Sequence, residues 1–278
     1  MIWLLIETVP LRCDNAAMQP IIAFDHVTKV YAPGTPPALD DVTMDIPQGA
    51  FVAIVGQSGS GKSTLLGMIN RLIDPSAGIV RFEGDDVRDL DPIGLRRRIG
   101  YVFQDVGLFP HMTLSENIAI TPRLLGWDAA RRSTLADELL DRVHLPPAEY
   151  RDRFPAELSG GQRQRIGVAR ALAAEPHVIL MDEPFGALDL RTRDALSRDY
   201  RTLHDTLNLT TVMITHDVIE AVLLADRIAV IHEGRIAAYG TPHELMDGTQ
   251  SPDVRALMDM PRRQAERLTA LMRAGGAA

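Results

Sequence analysis

The sequence predicts a layered α/β fold built on a mainly parallel sheet. Three observations predict it. Short apolar runs, among them Phe51–Val55, His177–Met181 and Thr210–Thr215, alternate with helical stretches. A glycine-rich segment, Gly56-Gln57-Ser58-Gly59-Ser60-Gly61-Lys62-Ser63, follows the first run and opens a helix at Thr64–Ile69. Two carboxylates, Asp182 and Glu183, end the second run. Strands that alternate with helices imply crossover connections and parallel pairing.

Composition narrows the possibilities. The chain has 278 residues, enough for one large domain or two small ones, and 46% of them are apolar, enough for a sizeable core. A formal net charge of −8 argues against a nucleic-acid partner. Cys13 is the single cysteine, so no internal disulfide can form, and a reducing compartment fits. No apolar run approaches the roughly 18 residues of a spanning helix. Met1–Ile6 is apolar but short and has no preceding basic residue, a poor signal peptide. The expectation is a soluble, cytoplasmic protein whose residues 1–20 form an N-terminal extension outside the fold.

The elements follow in order. Ile21–Phe24 starts a strand, Val27–Tyr31 continues a sheet edge, and Ala32–Pro37 is a loop. Tyr31, 25 residues before Gly56, is either a base-stacking aromatic or an ordinary strand tyrosine. Pro47-Gln48-Gly49 turns the chain into the strand before the glycine-rich loop. Asp91-Pro92 caps a short helix closed by Arg96-Arg97-Arg98, which reads as a solvated basic turn. Ile99–Phe103 is a strand ending in Gln104. From about 106 to 157 the pattern is helical, broken by Pro110, Pro122 and Pro146-Pro147, with helices expected over 114–119 and 134–143. Arg191–Leu207 is helical, and Arg227–Ile231 with Arg235–Tyr239 reads as a hairpin around Glu233-Gly234. Pro242 opens a C-terminal helical tail, about 246–278.

The chemistry lies at three places. Strand, G-x-x-x-x-G-K-S loop and helix form the phosphate-binding context. Gly56, Gly59 and Gly61 let backbone N–H groups curl round an anion, and the helix N-terminus adds partial positive charge. Ser58 and Thr64 belong to the same loop-and-helix start. Lys62 can reach the β- and γ-phosphates of a nucleoside triphosphate, and the Ser63 hydroxyl can ligate Mg²⁺. Asp182 and Glu183 leave the end of a buried strand, where ligands bind in open α/β sheets. Asp182 can hold Mg²⁺ and Glu183 can polarise a water. Third, Leu158-Ser159-Gly160-Gly161-Gln162 opens a helix over about 160–173, which Ser159 can cap. Two glycines at a helix start weaken it, and close approach of a phosphate to bare N–H groups supplies a reason.

With a phosphate loop about 100 residues upstream, Leu158–Gln162 resembles the signature of ABC transporter ATP-binding subunits, and the resemblance runs from about 21 to 245. It implies a P-loop NTPase core of RecA-like type with an antiparallel β subdomain and an inserted helical subdomain, about 106–157. It implies ATP and Mg²⁺ as ligands. Tyr31 fits the adenine-stacking aromatic. Gln104 fits the glutamine that contacts Mg²⁺ and the water. Ala187-Leu188-Asp189 fits the loop at the dimer interface, and His216 fits the γ-phosphate-sensing histidine. It further implies a head-to-tail homodimer, or a pair with a similar subunit, that clamps ATP between Gly56–Ser63 of one chain and Ser159–Gln162 of the other. Integral membrane permease subunits and an extracytoplasmic solute-binding protein would complete the system, with this chain peripheral on the cytoplasmic face. Asn70–Gly78, Leu90-Asp91-Pro92 with Leu95–Val102, and Gly107–Thr113 resemble the quaternary-amine group, importers of glycine betaine, choline or carnitine, although polar amino-acid importers share much of the last stretch. Phe103-Gln104-Asp105 departs from that group's more usual I-Q-Q.

Overall fold

A computed structural model describes residues 20–247, 251–264 and 266–267. Two sheets organise them. The first is antiparallel, in the order β2-β1-β4-β5, from β1 (Ile22–Lys29), β2 (Leu39–Ile46), β4 (Ala77–Phe82) and β5 (Asp85–Asp86). The second runs β10-β9-β3-β8-β7-β6, from β3 (Phe51–Val55), β6 (Ile99–Val102), β7 (Val178–Asp182), β8 (Thr210–Thr215), β9 (Arg227–His232) and β10 (Arg235–Gly240). Its β9, β3, β8, β7 and β6 are parallel, and β10 pairs antiparallel with β9 as the expected hairpin.

Burial explains why the parallel strands were readable and part of the antiparallel sheet was not. Along β3, Phe51, Ala53 and Val55 enter one core while Val52 and Ile54 enter the other. A strand covered on both faces must be apolar throughout. The strand β2 is covered on one face: Leu39, Val42, Met44 and Ile46 point inward while Asp41, Thr43 and Asp45 face water. Its polar half obscured it. The first core joins the helical side to one face of the second sheet, and the second core lies between the two sheets. Phe51 anchors the first core against Tyr200, ring centroids 5.9 Å apart. Burying such a ring contributes about 1.5–3 kcal/mol.

The helices are α1 (Lys62–Ile69), α2 (Pro92–Arg98), α3 (Leu114–Ile118), α4 (Ile120–Leu124), α5 (Ala129–Arg142), α6 (Pro147–Tyr150), α7 (Gly160–Leu172), α8 (Leu190–Leu207), α9 (Val218–Leu224), α10 (Pro242–Met246) and α11 (Pro252–Met258). The stretch from 114 to 150 thus holds four helices. Of these, α5 starts five residues before the expected 134, because the Asp128 carboxylate accepts from the Arg131 N–H and caps it there. The strand β1 ends at Lys29, so Tyr31 stands beyond it in a bend. The arginine triplet is more than a solvated turn. Arg96 donates to the carbonyls of Asn70 and Arg71, and Arg98 pairs with Glu83, tying α2 to the end of α1 and to the antiparallel sheet. Residues 1–19 of the expected extension, and part of the C-terminal tail, lie outside the described residues.

Candidate nucleotide site

The strand order brings the candidate residues to one edge. The parallel strands β3, β8, β7 and β6 are adjacent and point the same way. Their C-terminal ends therefore release the glycine-rich loop, His216, Asp182-Glu183 and Gln104 along a single rim.

In the loop, Gly61 is the N-cap of α1 at φ +106°, and a Cβ there would lie 2.4 Å from the Ala38 carbonyl oxygen. Only glycine fits. Lys62 Nζ donates to the carbonyls of Gly56 at 2.8 Å and Gln57 at 2.9 Å, which holds the ammonium across the loop. Burial lowers the pKa of Lys62, against the opposing pull of Glu183 and Asp182. The Ser60 hydroxyl is buried and has no hydrogen-bond partner among the described residues. Ser58 and Gly59 are exposed on the loop, and Ser63 is exposed in the first turn of α1. The Tyr31 hydroxyl lies 3.1 Å from Thr64 Oγ1, and the residue is 62% exposed beside that turn. An exposed aromatic face next to a phosphate loop is available for a base.

Asp182 ends β7 half-buried, and its carboxylate accepts no hydrogen bond from the described residues. Burial, then the neighbouring Glu183 charge, raises its pKa, while Lys62 pulls the other way. A half-buried carboxylate without a hydrogen-bond donor suits a divalent cation, and the exposed Ser63 hydroxyl is a matching oxygen donor. Magnesium fits Asp182 and Ser63, with Gln104 exposed beyond β6 as a further oxygen. Among the described residues no group of three His, Cys, Asp or Glu is arranged to hold a metal. Its other ligands would then come from phosphate and water, as Mg²⁺ prefers.

Glu183 adopts φ +43°, a left-handed conformation that side chains rarely take, and its N–H donates to the Ile214 carbonyl of β8 at 3.0 Å. The turn aims its carboxylate at His216: imidazole Nδ1 donates to Glu183 Oε2 across 3.1 Å. Sequence reasoning named both residues and had no means of seeing that they touch. It missed Arg193 of α8, which donates to the carbonyls of Gly186 and Leu188 at 3.2 Å each and pairs with Asp217 at 3.4 Å. An arginine three residues into a helix looks like surface charge, and no sequence signal marks it.

Ser159–Gln162 stands apart. Ser159 caps α7 in a reciprocal box: the Gln162 N–H donates to Ser159 Oγ at 3.3 Å, and the Ser159 N–H donates to Gln162 Oε1 at 2.9 Å. Gln162 Nε2 donates to the Tyr150 hydroxyl at 3.0 Å. The two glycines differ. A Cβ at Gly161 would lie 2.4 Å from Thr192 Cγ2 of α8, so packing requires that glycine. A Cβ at Gly160 would meet nothing closer than 3.9 Å. No hydrogen bond joins 159–162 to 56–64 among the described residues. Asp189 likewise spends its carboxylate on its own helix, accepting from the N–H groups of Arg191 and Thr192 at 3.1 Å; the Thr192 side chain, then these N–H groups, lower its pKa.

The sequence profile of the ABC transporter family matches residues 39–186. The chain belongs to this family. As an ABC cassette it can be set beside its relatives. It is 51% identical over 226 residues to the glycine betaine/carnitine/choline transport ATP-binding protein OpuCA of Bacillus subtilis, covering 81% of this chain and 59% of that one. It is 46% identical over 222 residues to the glycine betaine uptake system ATP-binding protein YehX of Escherichia coli, covering 80% and 71%. It is also 46% identical over 237 residues to the sulfate/thiosulfate import ATP-binding protein CysA of Bacillus cereus, covering 84% and 65%. The cassette thus spans 59% of the length of the first of these curated relatives. Among solved structures, the dimeric post-hydrolysis state of the ATP-binding cassette MJ0796 bound to ADP and Pi matches with a TM-score of 0.71 at 34% identity, covering 79% of this chain and 98% of that one. The α/β architecture with its phosphate loop is the fold these cassettes share.

Proposed function

We propose that this cassette binds and hydrolyses ATP to energise an importer of quaternary-amine osmoprotectants such as glycine betaine. The observation that carries the hydrolytic half is the Glu183–His216 bond on the rim that also releases the phosphate loop. Lys62 and the loop N–H groups hold the phosphates, and Tyr31 stacks on the base. Asp182, Ser63 and Gln104 would hold Mg²⁺, which supplies charge neutralisation on the phosphate oxygens. Glu183 accepts a proton from the attacking water, and His216, whose Nδ1–H is bonded to it, fixes the carboxylate's orientation.

The partners follow from what the chain leaves unfinished. Ser159–Gln162 caps a helix start where, among the described residues, nothing lies closer than 3.9 Å to a Cβ placed at Gly160. A second copy's ATP, presented head to tail, would use those N–H groups together with the Asp189 loop, so the active form is a dimer. No helix among the described residues is long and apolar enough to cross a membrane. The OpuCA and YehX identities support permease subunits as its partners, with this chain peripheral on the cytoplasmic face and a solute-binding protein on the other side. The quaternary-amine assignment rests on the 70–113 stretch and on the OpuCA and YehX identities. The CysA identity equals that of YehX, so an inorganic-anion importer is the second reading.

Uptake of labelled glycine betaine and of sulfate, in cells lacking this chain, separates the two. Betaine uptake restored by wild type and lost with Glu183→Gln is the expected result. Sulfate uptake restored without betaine uptake overturns the solute assignment and keeps the ATPase.

A further inference from the structure

The residues around Glu183 form a closed circuit whose last link is Arg193. The Gly186 N–H donates to the Glu183 carbonyl at 3.2 Å, so the turn after Glu183 folds back on it. Arg193 Nη2 donates to the carbonyls of that turn, Gly186 and Leu188, at 3.2 Å each. Arg193 Nη1 pairs with Asp217 Oδ2 at 3.4 Å. Asp217 is the residue after His216, and His216 Nδ1 returns to Glu183 Oε2 at 3.1 Å. The ring is thus Glu183, Gly186, Arg193, Asp217, His216 and back to Glu183. Both charged partners of the last link are largely shielded, Arg193 at 25% and Asp217 at 31% side-chain exposure. The arginine Nε is buried without a hydrogen-bond partner among the described residues, so there the guanidinium is held by this one set of acceptors.

From this we infer that Arg193 is a positioning residue for the hydrolytic pair, acting through the 186–188 turn on one side and Asp217 on the other. The inference rests on the ATPase reading above. The chemistry suits arginine. Its planar fork reaches two carbonyls and a carboxylate from fixed directions, while a lysine ammonium is a single point and cannot span them. Asp217 is divided in the same sense. Its Oδ1 accepts from the N–H groups of Ile219 and Glu220 and caps α9, leaving Oδ2 for Arg193. The guanidinium therefore sets the distance between the segment carrying Glu183 and the segment carrying His216. The same contacts hold the carbonyl of Leu188, next to Asp189, so the turn offered to a second copy and the hydrolytic pair share one anchor. A misplacement of about 1 Å at such a pair can lower turnover by about 100-fold.

The test is steady-state hydrolysis and nucleotide binding by the full chain carrying Arg193→Ala, Arg193→Lys or Asp217→Asn. Asp217→Asn keeps the Oδ1 cap and removes only the charge facing Arg193, so it serves if Arg193→Ala misfolds. The expected result for Arg193→Ala is a kcat lower by about 10–100-fold with unchanged nucleotide Kd, and partial recovery in Arg193→Lys. In the Glu183→Gln background, where the pair is already broken, Arg193→Ala should add nothing to the loss. Full kcat in Arg193→Ala, or losses that multiply in the double variant, overturn the inference. A wild-type chain that does not hydrolyse ATP overturns the ATPase reading instead. The inference then stands or falls on the ¹⁵N shift of His216 Nδ1. Arg193→Ala should move it and Arg131→Ala, on the distant helical side, should not. An unmoved shift in Arg193→Ala refutes the positioning role.

Discussion

The phosphate loop and the start of α7 are both helix N-termini rich in glycine and serine, yet they are finished in different ways. The loop is tied to the rest of the molecule. Gly61 fits against the Ala38 carbonyl, Lys62 is bonded across the loop, and Tyr31 reaches Thr64. The start of α7 is satisfied by its own residues, with Ser159 and Gln162 capping each other and a Cβ at Gly160 meeting nothing closer than 3.9 Å. One terminus is a pocket wall that the chain itself completes. The other is a surface prepared and left unused. Backbone N–H groups at a helix start attract an anion wherever they stand. What differs is whether this chain supplies the rest of the anion's surroundings.

That contrast can be broken most sharply by paired substitutions. Lys62→Ala removes a charged donor, and a hydrogen bond to a charged group contributes about 1.5–3 kcal/mol. Nucleotide affinity of the monomer, followed by fluorescence of a labelled ATP analogue, should fall by roughly 10–100-fold. Ser159→Arg should leave that affinity within about twofold while abolishing turnover, because it obstructs only the surface a second copy would use. Equal losses of monomer affinity in both variants would show that the two termini serve one site within the chain.

The two glycines of α7 sharpen it further. Gly161→Ala drives a methyl into Thr192, and overpacking of this kind costs about 1–3 kcal/mol. Gly160→Ala meets only Leu188 Cδ2 at 3.9 Å, an ordinary contact, and should match or raise stability by up to about 1 kcal/mol, since alanine favours a helix. Thermal melts should therefore separate neighbours of identical chemistry. If Gly160→Ala folds as well as wild type and yet hydrolyses ATP slowly, the open side of Gly160 is a working surface. Wild-type turnover in Gly160→Ala would make it a bland one.

The smallest effect comes from the opposite end of the sheet and sets the baseline for stability. His204 is buried, with Nδ1 2.9 Å from Thr211 Oγ1, and Tyr200 shares the same hydroxyl at 2.8 Å. Desolvation, helped by the Arg201 charge, lowers its pKa from the ordinary 6.5, while Asp226 and Asp205 oppose. The folded state thus binds its proton less readily than the unfolded chain. Stability is complete above about pH 6.5 and falls as pH drops below it. The wild-type melting temperature should decline through that window, and His204→Gln should flatten the decline. An unchanged pH dependence in His204→Gln would place the acid sensitivity elsewhere, with the raised carboxyl of Glu220 excluded by its sign: protonation of that buried group favours the folded state as pH falls.

The parallel sheet could be read from the sequence because its strands are apolar on both faces. Of the antiparallel sheet, β2 was not read, although Val42, Met44 and Ile46 alternate with Thr43 and Asp45, a period-two signal diluted by three aspartates. Tyr31, Lys62, Asp182, Glu183 and His216 were each found from local pattern or family resemblance. Their meeting was not, because it depends on strand order: β7 beside β8 is what sets residues 183 and 216 within hydrogen-bond reach across 33 positions of sequence. A second constraint on Gly161 was hidden for the same reason. A local pattern suggests an anion, while the neighbour that forbids a side chain, Thr192, comes from another helix.

The left-handed turn at Glu183 carries a consequence for anyone who evolves this cassette in the laboratory. A non-glycine residue in that region of backbone space is held at a cost of about 1–3 kcal/mol, and glycine would sit there freely. A library screened for heat resistance alone would therefore enrich glycine at position 183, and on the proposed chemistry a library screened for ATP hydrolysis would refuse it. Among the residues such a thermostability selection would discard is the one the proposed chemistry needs most.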